Sequence, residues 1–191
     1  MDFSDEKIIE GCLKRDNLFR EALYHKYSGE IYARILRYTR NKADADDIMQ
    51  ETFIHVFSHI GQFKKKSGLG TWIHSIAIHE VAAFYKIKDR YLLGETSVEK
   101  KMRQQPEEKA DEEEISMKRL FSYNTQLEII QQLPDGYRMM FNLCEMDGYS
   151  SEEAAKLLHC SPENCRSQLS RAKKQLREII NSIKQKKLQD E

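Results

Sequence analysis

From residue 4 to about residue 90 the apolar positions recur every three or four residues, the spacing of helices that pack one face inward. Gly61 and residues 64–70 interrupt this pattern most clearly. A first helical domain over residues 1–92 is predicted. Between about residue 91 and residue 122 the periodicity fades, and residues 104–114 are polar, acidic and broken by Pro106, as in a chain too poor in apolar groups to fold alone. A flexible acidic linker over 93–122 is expected. Periodicity returns from Leu127 through Leu133, stops at Pro134, Asp135 and Gly136, and resumes in two further segments to about Ile183. This predicts a second helical domain over 123–184 and a tail over 185–191. No stretch alternates at period two over strand length and no internal repeat is visible, so the expected fold is all-α, two small helical domains.

On a helical projection centred on Met49, the residues Ala45, Phe53, Val56, Phe57 and Ile60 share one face. That face is the expected core. Asp44, Asp47, Glu51 and Ser58 fall opposite, with Gln50 and His55 on the flanks. Two readings stand for that edge: a solvated acidic face, or a docking surface for a basic partner.

Farther along, Ser150 and Glu153 form a capping box that starts a helix. Ala154, Leu157 and Leu158 give it an apolar side, and residues 159–162 break it after a little over two turns. Ser161 caps the next helix with Pro162 in its first position, where a missing amide hydrogen costs least. Two short helices and a tight turn make a helix-turn-helix. In the second helix Cys165, Leu169, Ala172 and Leu176 share a face, while Asn164, Ser167, Arg171 and Lys174 face outward. Asn and Arg can read base edges, whereas Ser and Lys more often hold phosphates. The other reading is a solvated basic helix.

Between Phe63 and Trp72 lies a third candidate, Lys64, Lys65, Lys66, Ser67, Gly68, Leu69 and Gly70. Lysines can follow a phosphate backbone while aromatic faces stack on unpaired bases. In the alternative the two aromatics are core residues beneath a solvated loop.

Composition adds exclusions. The chain has 191 residues, 32% of them charged, with a formal net charge of zero. A zero balance argues against a nucleic-acid binder, but the charges are segregated. Basic residues gather at 64–66, at 86–90 and from 166 to 187, and acidic ones at 44–51 and 107–114. Such segregation suggests a polyanionic partner and a basic partner on different surfaces. The most apolar stretch, residues 72–84, is broken by His74, His79 and Glu80 and is too short to span a bilayer. The first residues lack the basic and apolar regions of a signal peptide, so a cytoplasmic location is expected. Cys12, Cys144, Cys160 and Cys165 lack paired metal-ligand spacing; buried thiols, no metal and no cofactor are expected.

Residues 44–53, Asp-Ala-Asp-Asp-Ile-Met-Gln-Glu-Thr-Phe, resemble the core-binding helix of the sigma-70 family, D-A-E-D-L-x-Q-E-x-F. Phe63 followed by Gly70-Thr-Trp-Ile-His-Ser-Ile-Ala resembles the family's F…TWLxxIA, and Leu133-Pro134, Arg138 and Phe141 its LP…R..F. Residues 161–176 resemble the signature of its −35-reading domain. The likeness is to the extracytoplasmic-function (ECF) group, and it implies a sigma factor that binds core RNA polymerase and catalyses nothing itself. It assigns Asp44, Asp47, Gln50 and Glu51 to the polymerase β′ subunit. It assigns Phe63, Lys64, Lys65, Lys66, Trp72, His79 and Lys86 to the −10 element, His79 standing where the family usually has Asn. It assigns Asn164, Arg166, Ser167, Gln168, Arg171 and Lys174 to the −35 element, Asn164-Cys165 and Gln168 being departures from the usual residues. The implied partners are core polymerase through β′ and β, promoter DNA, and an anti-sigma factor, often membrane-bound. An ordinary helix-turn-helix regulator is the competing reading, and it accounts for the last third alone. For a nucleic-acid enzyme, the acids of 44–51 point outward with no facing ligand set.

Overall fold

Local capping chemistry starts nearly every helix. Ser4 accepts the Lys7 amide at 3.5 Å to open α1 (Asp5–Leu13), and Asp16 accepts the Leu18 amide at 2.9 Å to open α2 (Asn17–Tyr38). Asn41 accepts the Asp44 amide at 2.8 Å to open α3 (Lys42–His59). Such a cap contributes about 1 kcal/mol by satisfying an otherwise orphaned donor. A single 3₁₀ turn, Ile60–Gln62, ends α3, and after an exposed loop α4 (Leu69–Lys88) begins. The interruption expected around Gly61 and residues 64–70 is this turn and loop.

The computed structural model describes residues 3–88 and 122–189. The linker expected at 93–122 lies, Ser122 apart, outside the described residues. Ser122 caps α5 (Tyr123–Gln131), Pro134 precedes α6 (Asp135–Phe141), and a π-helical turn over Asn142–Met146 continues it. Gly148 takes φ +77°, a conformation glycine adopts without strain, and reverses the chain into α7 (Ser151–Leu158), which α8 (Pro162–Gln189) follows. Three helical segments therefore follow Leu133 where two were expected, because Pro134 and Asp135 restart a helix at once. α8 also runs to Gln189, through the residues expected to form a tail. Among the described residues there is no strand.

The chain divides into two compact units, Met1–Phe84 and Tyr85–Glu191. In the first, Ile8, Leu23, Ile31, Ile35, Ala45, Ile48, Val56 and Ile73 are buried. α1 and α2 approach so closely that a Cβ on Gly11 would stand 2.1 Å from the Phe19 ring, a distance only glycine permits. The second packs Ile129, Ile130, Leu133, Tyr137, Phe141, Ala172, Leu176 and Ile180 together. Each large aliphatic side chain there gains about 1.5–3 kcal/mol from leaving water. Arg138, 0% exposed, donates to the Leu133 carbonyl at 2.8 Å and pairs with Asp135, satisfying its buried charge.

Candidate polymerase and nucleic-acid interfaces

The inward side of α3 is Ala45, Ile48, Met49, Thr52, Phe53 and Val56, all buried, with Phe57 half-buried beneath the Arg20 guanidinium. Thr52 loses its polarity to the helix itself, its hydroxyl donating to the Ile48 carbonyl at 2.7 Å. Asp47, Gln50 and Glu51 are exposed on the other edge, three and four residues apart, and Asp44 is half-buried at the start. His55 and Glu80 meet at 2.6 Å and tie this helix to α4.

Sequence periodicity missed the apolar part of this surface. Ile54, 47% exposed, stands beside Gln50 and Glu51, and Tyr24 of α2, 42% exposed, packs edge-on against Phe53 at 4.8 Å. Between α2 and α3 they border a groove of about 660 Å³ that also takes in Asp46, Gln50 and Tyr32. A hydrogen bond to Asp46, the leading cause, holds the Tyr32 hydroxyl above the usual tyrosine range. Ile54 was legible as an apolar residue off the Met49 face; Tyr24 lies in another helix and carried no such signal.

In the loop, Lys64, Lys65, Lys66, Ser67 and Gly68 are all exposed, and Lys65 adopts φ +54°, a left-handed conformation uncommon outside glycine. Phe63 and Trp72 are half-buried and pair with each other, ring centroids 5.4 Å apart and planes at 46°. The aromatics thus pair at the two ends of the loop and are partly exposed, between the two readings of the sequence. Leu69 anchors the start of α4 in the core, and a Cβ on Gly70 would reach the Tyr27 ring at 3.0 Å. Trp72, His79 and Lys86 follow at seven-residue intervals and so share one stripe of α4. His79 and Lys86 are exposed on it.

The helix-turn-helix is built as its sequence predicts. The Ser150 amide donates to Glu153 Oε2 at 2.8 Å and Ser150 Oγ accepts the Glu153 amide at 3.2 Å. The bond from the Ser150 amide holds the Glu153 carboxyl below its usual range. His159 ends α7 in a left-handed conformation, φ 55°, and Ser161 Oγ accepts the Asn164 amide at 3.2 Å to open α8. On α8 Lys174 is exposed while Asn164, Ser167 and Arg171 are half-buried. Arg166 is exposed but bridges Glu152 at 3.2 Å and Glu163 at 2.9 Å; Lys173 pairs with Glu145 at 2.8 Å.

Two expectations are corrected here. Gln168, which the resemblance assigned to the −35 element, is 8% exposed and turns inward; it lies three residues from Cys165 and four from Ala172, on their face, and Leu169 takes the half-buried flank. The thiols are not uniformly buried either: Cys12 and Cys165 are, Cys144 and Cys160 are half-buried. Among the described residues no group of three His, Cys, Asp or Glu side chains could hold a metal ion.

Two family descriptions match, sigma-70 region 2 over residues 23–91 and sigma-70 region 4 over residues 127–176. The first covers α3, the loop and α4; the second covers the helix-turn-helix. The chain is 27% identical over 190 residues to the RNA polymerase sigma-H factor of Pseudomonas aeruginosa, covering 94% of this chain and 95% of that one. It is 26% identical over 175 residues to the ECF RNA polymerase sigma-E factor of Escherichia coli, covering 89% and 91%. In fold it is similar to CnrH, solved in complex with the cytosolic domain of CnrY, with a TM-score of 0.50, 15% identity and coverage of 93% and 97%. It is similar also to the sigma factor RpoE of Bartonella quintana, solved with the anti-sigma factor NepR, with a TM-score of 0.50, 18% identity and coverage of 84% and 96%. Both regions occur in the family's order on one chain whose described residues form helices, and the chain belongs to the sigma-70 family as an extracytoplasmic-function sigma factor, a non-enzymatic initiation factor that directs RNA polymerase to promoters.

Proposed function

We propose that the exposed edge of α3, led by Asp47, Gln50 and Glu51, docks on the β′ subunit of core RNA polymerase. The observation that carries this reading is that one helix buries an unbroken apolar face and presents acids and an amide on the opposite edge. Ile54 and Tyr24 extend that edge with apolar surface, and a polar rim around an apolar centre is how protein interfaces are commonly composed. The loop over residues 64–68, with Phe63 and Trp72 at its base and His79 and Lys86 on α4, holds the opened −10 strand. Asn164, Ser167, Arg171 and Lys174 of α8, with Arg166, contact the −35 duplex, since a helix-turn-helix places its second helix in the major groove.

Core polymerase is cytoplasmic, and this chain acts there on that reading; among the described residues no helix is long and apolar enough to cross a membrane. An anti-sigma protein is proposed as a further partner, the solved RpoE relative having been captured with one. The test is reconstitution: the purified chain with bacterial core polymerase should start transcription at a defined promoter. A duplex-binding regulator could bind that promoter but would start no transcript.

A further inference from the structure

The turn between α7 and α8 holds two cysteines that promoter recognition does not use. Cys160 follows the left-handed His159 and donates its amide to the Ala155 carbonyl at 3.0 Å. Cys165 stands near the start of α8 and donates its amide to the Ser161 carbonyl at 3.1 Å. These backbone bonds fix both residues, and the two sulfurs meet at 3.3 Å as free thiols. A disulfide needs about 2.05 Å, so roughly an ångström of approach separates the pair from closure.

The two thiols differ in access. Cys165 is 1% exposed, whereas Cys160 is half-buried and open to a small reagent. Burial first, then the hydrogen bond with Cys160, pushes the Cys165 thiol up to about 12. Cys144, half-buried on the π turn and raised to about 11 by burial, is the other thiol whose charge bears on Cys165, and Arg166 is the cation that opposes the shift. A buried, protonated thiol makes a slow first nucleophile, which leaves that role to Cys160.

We propose that Cys160 and Cys165 form a reversible dithiol–disulfide site in the turn of the helix-turn-helix, taking a low-molecular-weight disulfide as its oxidant. Cys160 gives up its proton and its sulfur attacks the disulfide RSSR; a Cys160–SR bond forms, the S–S bond of the reagent breaks, and RS⁻ leaves and takes up a proton. Cys165 then loses its proton and attacks the Cys160 sulfur, forming Cys160–Cys165 and releasing a second RSH. The protein loses two hydrogens and two electrons, and RSSR is reduced to two RSH. Disulfides in a reducing compartment are usually transient and sensory, which suits a site that reopens.

The segment enclosed by the pair is Ser161, Pro162, Glu163 and Asn164. It contains the Ser161 bond that caps α8, and Arg166 follows immediately. Drawing the sulfurs together pulls the first turn of α8 toward the turn and shifts Asn164 and Arg166 against the rest of the strip. The closed form should therefore bind −35 duplex more weakly, a consequence that rests on the −35 reading above.

The experiment treats the full reduced chain with glutathione disulfide, quenches it in acid, alkylates it and digests it with trypsin. Cleavage after Lys156 and Arg166 places both cysteines in one peptide, 157–166. That peptide should appear unalkylated and lighter by two hydrogens, and dithiothreitol should restore two alkylation sites. Cys160→Ser, at a half-buried position, should keep its thermal melt and lose closure. Full alkylation, a retained glutathione adduct without closure, or a link to Cys144 would overturn the site. So would protection of both thiols by Zn²⁺ or Cu⁺ with no closure by glutathione disulfide, which would mark a soft-metal pair. Duplex affinity should fall about tenfold on closure, the size of one lost base contact, and Cys160→Ser should be insensitive to the oxidant. Closure with unchanged affinity, while Arg171→Ala still weakens binding, would overturn the regulatory half of the proposal. If Arg171→Ala also binds as the parent does, the −35 reading is what fails.

Discussion

The edge of α3 and the outer strip of α8 are both charged helix faces, yet they are prepared for their partners in opposite ways. Asp47, Gln50 and Glu51 are exposed, and among the described residues no side-chain hydrogen bond or ion pair holds them. On α8, Arg166 is held by Glu152 and Glu163, and Lys173 by Glu145. On the proposed reading, the first surface meets its protein partner without breaking an ion pair of its own. On the other, Arg166 is paired with acids of its own unit, so on the −35 reading a phosphate or a base displaces a carboxylate to reach it. Exposed ion pairs are worth only about 0–1 kcal/mol, so the exchange is cheap, but it lowers attraction to unrelated DNA. A zero net charge is thus compatible with DNA binding because the acids sit beside the bases they restrain.

The largest effect that would sharpen this contrast lies in the loop. Neutralising Lys64, Lys65 and Lys66 and shortening the loop should abolish the open complex while sparing closed-complex binding at −35. Extruding a base costs a few kcal/mol, which the loop must return through stacking and phosphate contacts. Permanganate footprinting of unpaired thymines reads this, and a pre-melted −10 bubble should recover part of the activity. Promoter opening equal to the parent's would reduce the loop to a connector.

Next in size, Asp47→Lys with Glu51→Lys should strongly weaken capture of core polymerase and leave the melt near that of the parent, since exposed charges usually cost within about 0.5 kcal/mol of stability. Undiminished capture would remove the docking role. Arg171→Ala should cost roughly 1–3 kcal/mol at −35 duplex and flatten base preference, whereas Lys174→Ala should weaken all sequences alike and lower the salt slope by about one ion. Smaller still, Glu152→Gln with Glu163→Gln should release Arg166 and raise affinity for all DNA by up to about 1 kcal/mol in low salt. If affinity does not rise, the carboxylates do not restrain it.

The smallest effect concerns the cap of α7. Because the folded Glu153 carboxyl lies below its unfolded range near 4.5, the cap stabilises the second unit fully above that pH and loses this contribution as pH falls through the folded value. An acid titration should show Glu153→Gln less stable than the parent near neutrality and converging on it at low pH, whereas Ser150→Ala, about 1 kcal/mol less stable, should keep most of its gap because the lost hydroxyl accepts a backbone amide and carries no charge. A Glu153→Gln gap that stays constant would mean that the Glu153 charge adds nothing to the cap.

Much of this was legible from spacing. Met49, Phe53 and Val56 mark the buried face of α3 because a helix repeats every 3.6 residues, and that periodicity alone exposes Asp47 and Glu51. Ser150, Glu153, Ser161 and Pro162 place the turn of the helix-turn-helix through bonds that span three residues. Gln168 is assigned to the −35 element by the resemblance, by its place in a motif, and periodicity never sets it on the outward face; it is 8% exposed. The centre of the inward face is set by what α8 packs against, Tyr137 and Phe141 of α6 and Ile129 of α5.

The order of helices, their caps and their two-sided character follow from the sequence by itself, because each depends on residues within one or two turns of chain. Only the tertiary structure decided what each outward face meets: the groove that Tyr24 forms with Ile54, the pairing of Phe63 with Trp72 and the carboxylates around Arg166. The 3.3 Å approach of Cys160 to Cys165 belongs to the same class. Those features join residues from different helices or across a turn, where the direction of a side chain is set by backbone reversal and packing. A spacing rule fixes which face a residue occupies, and it carries no information on what stands across from that face.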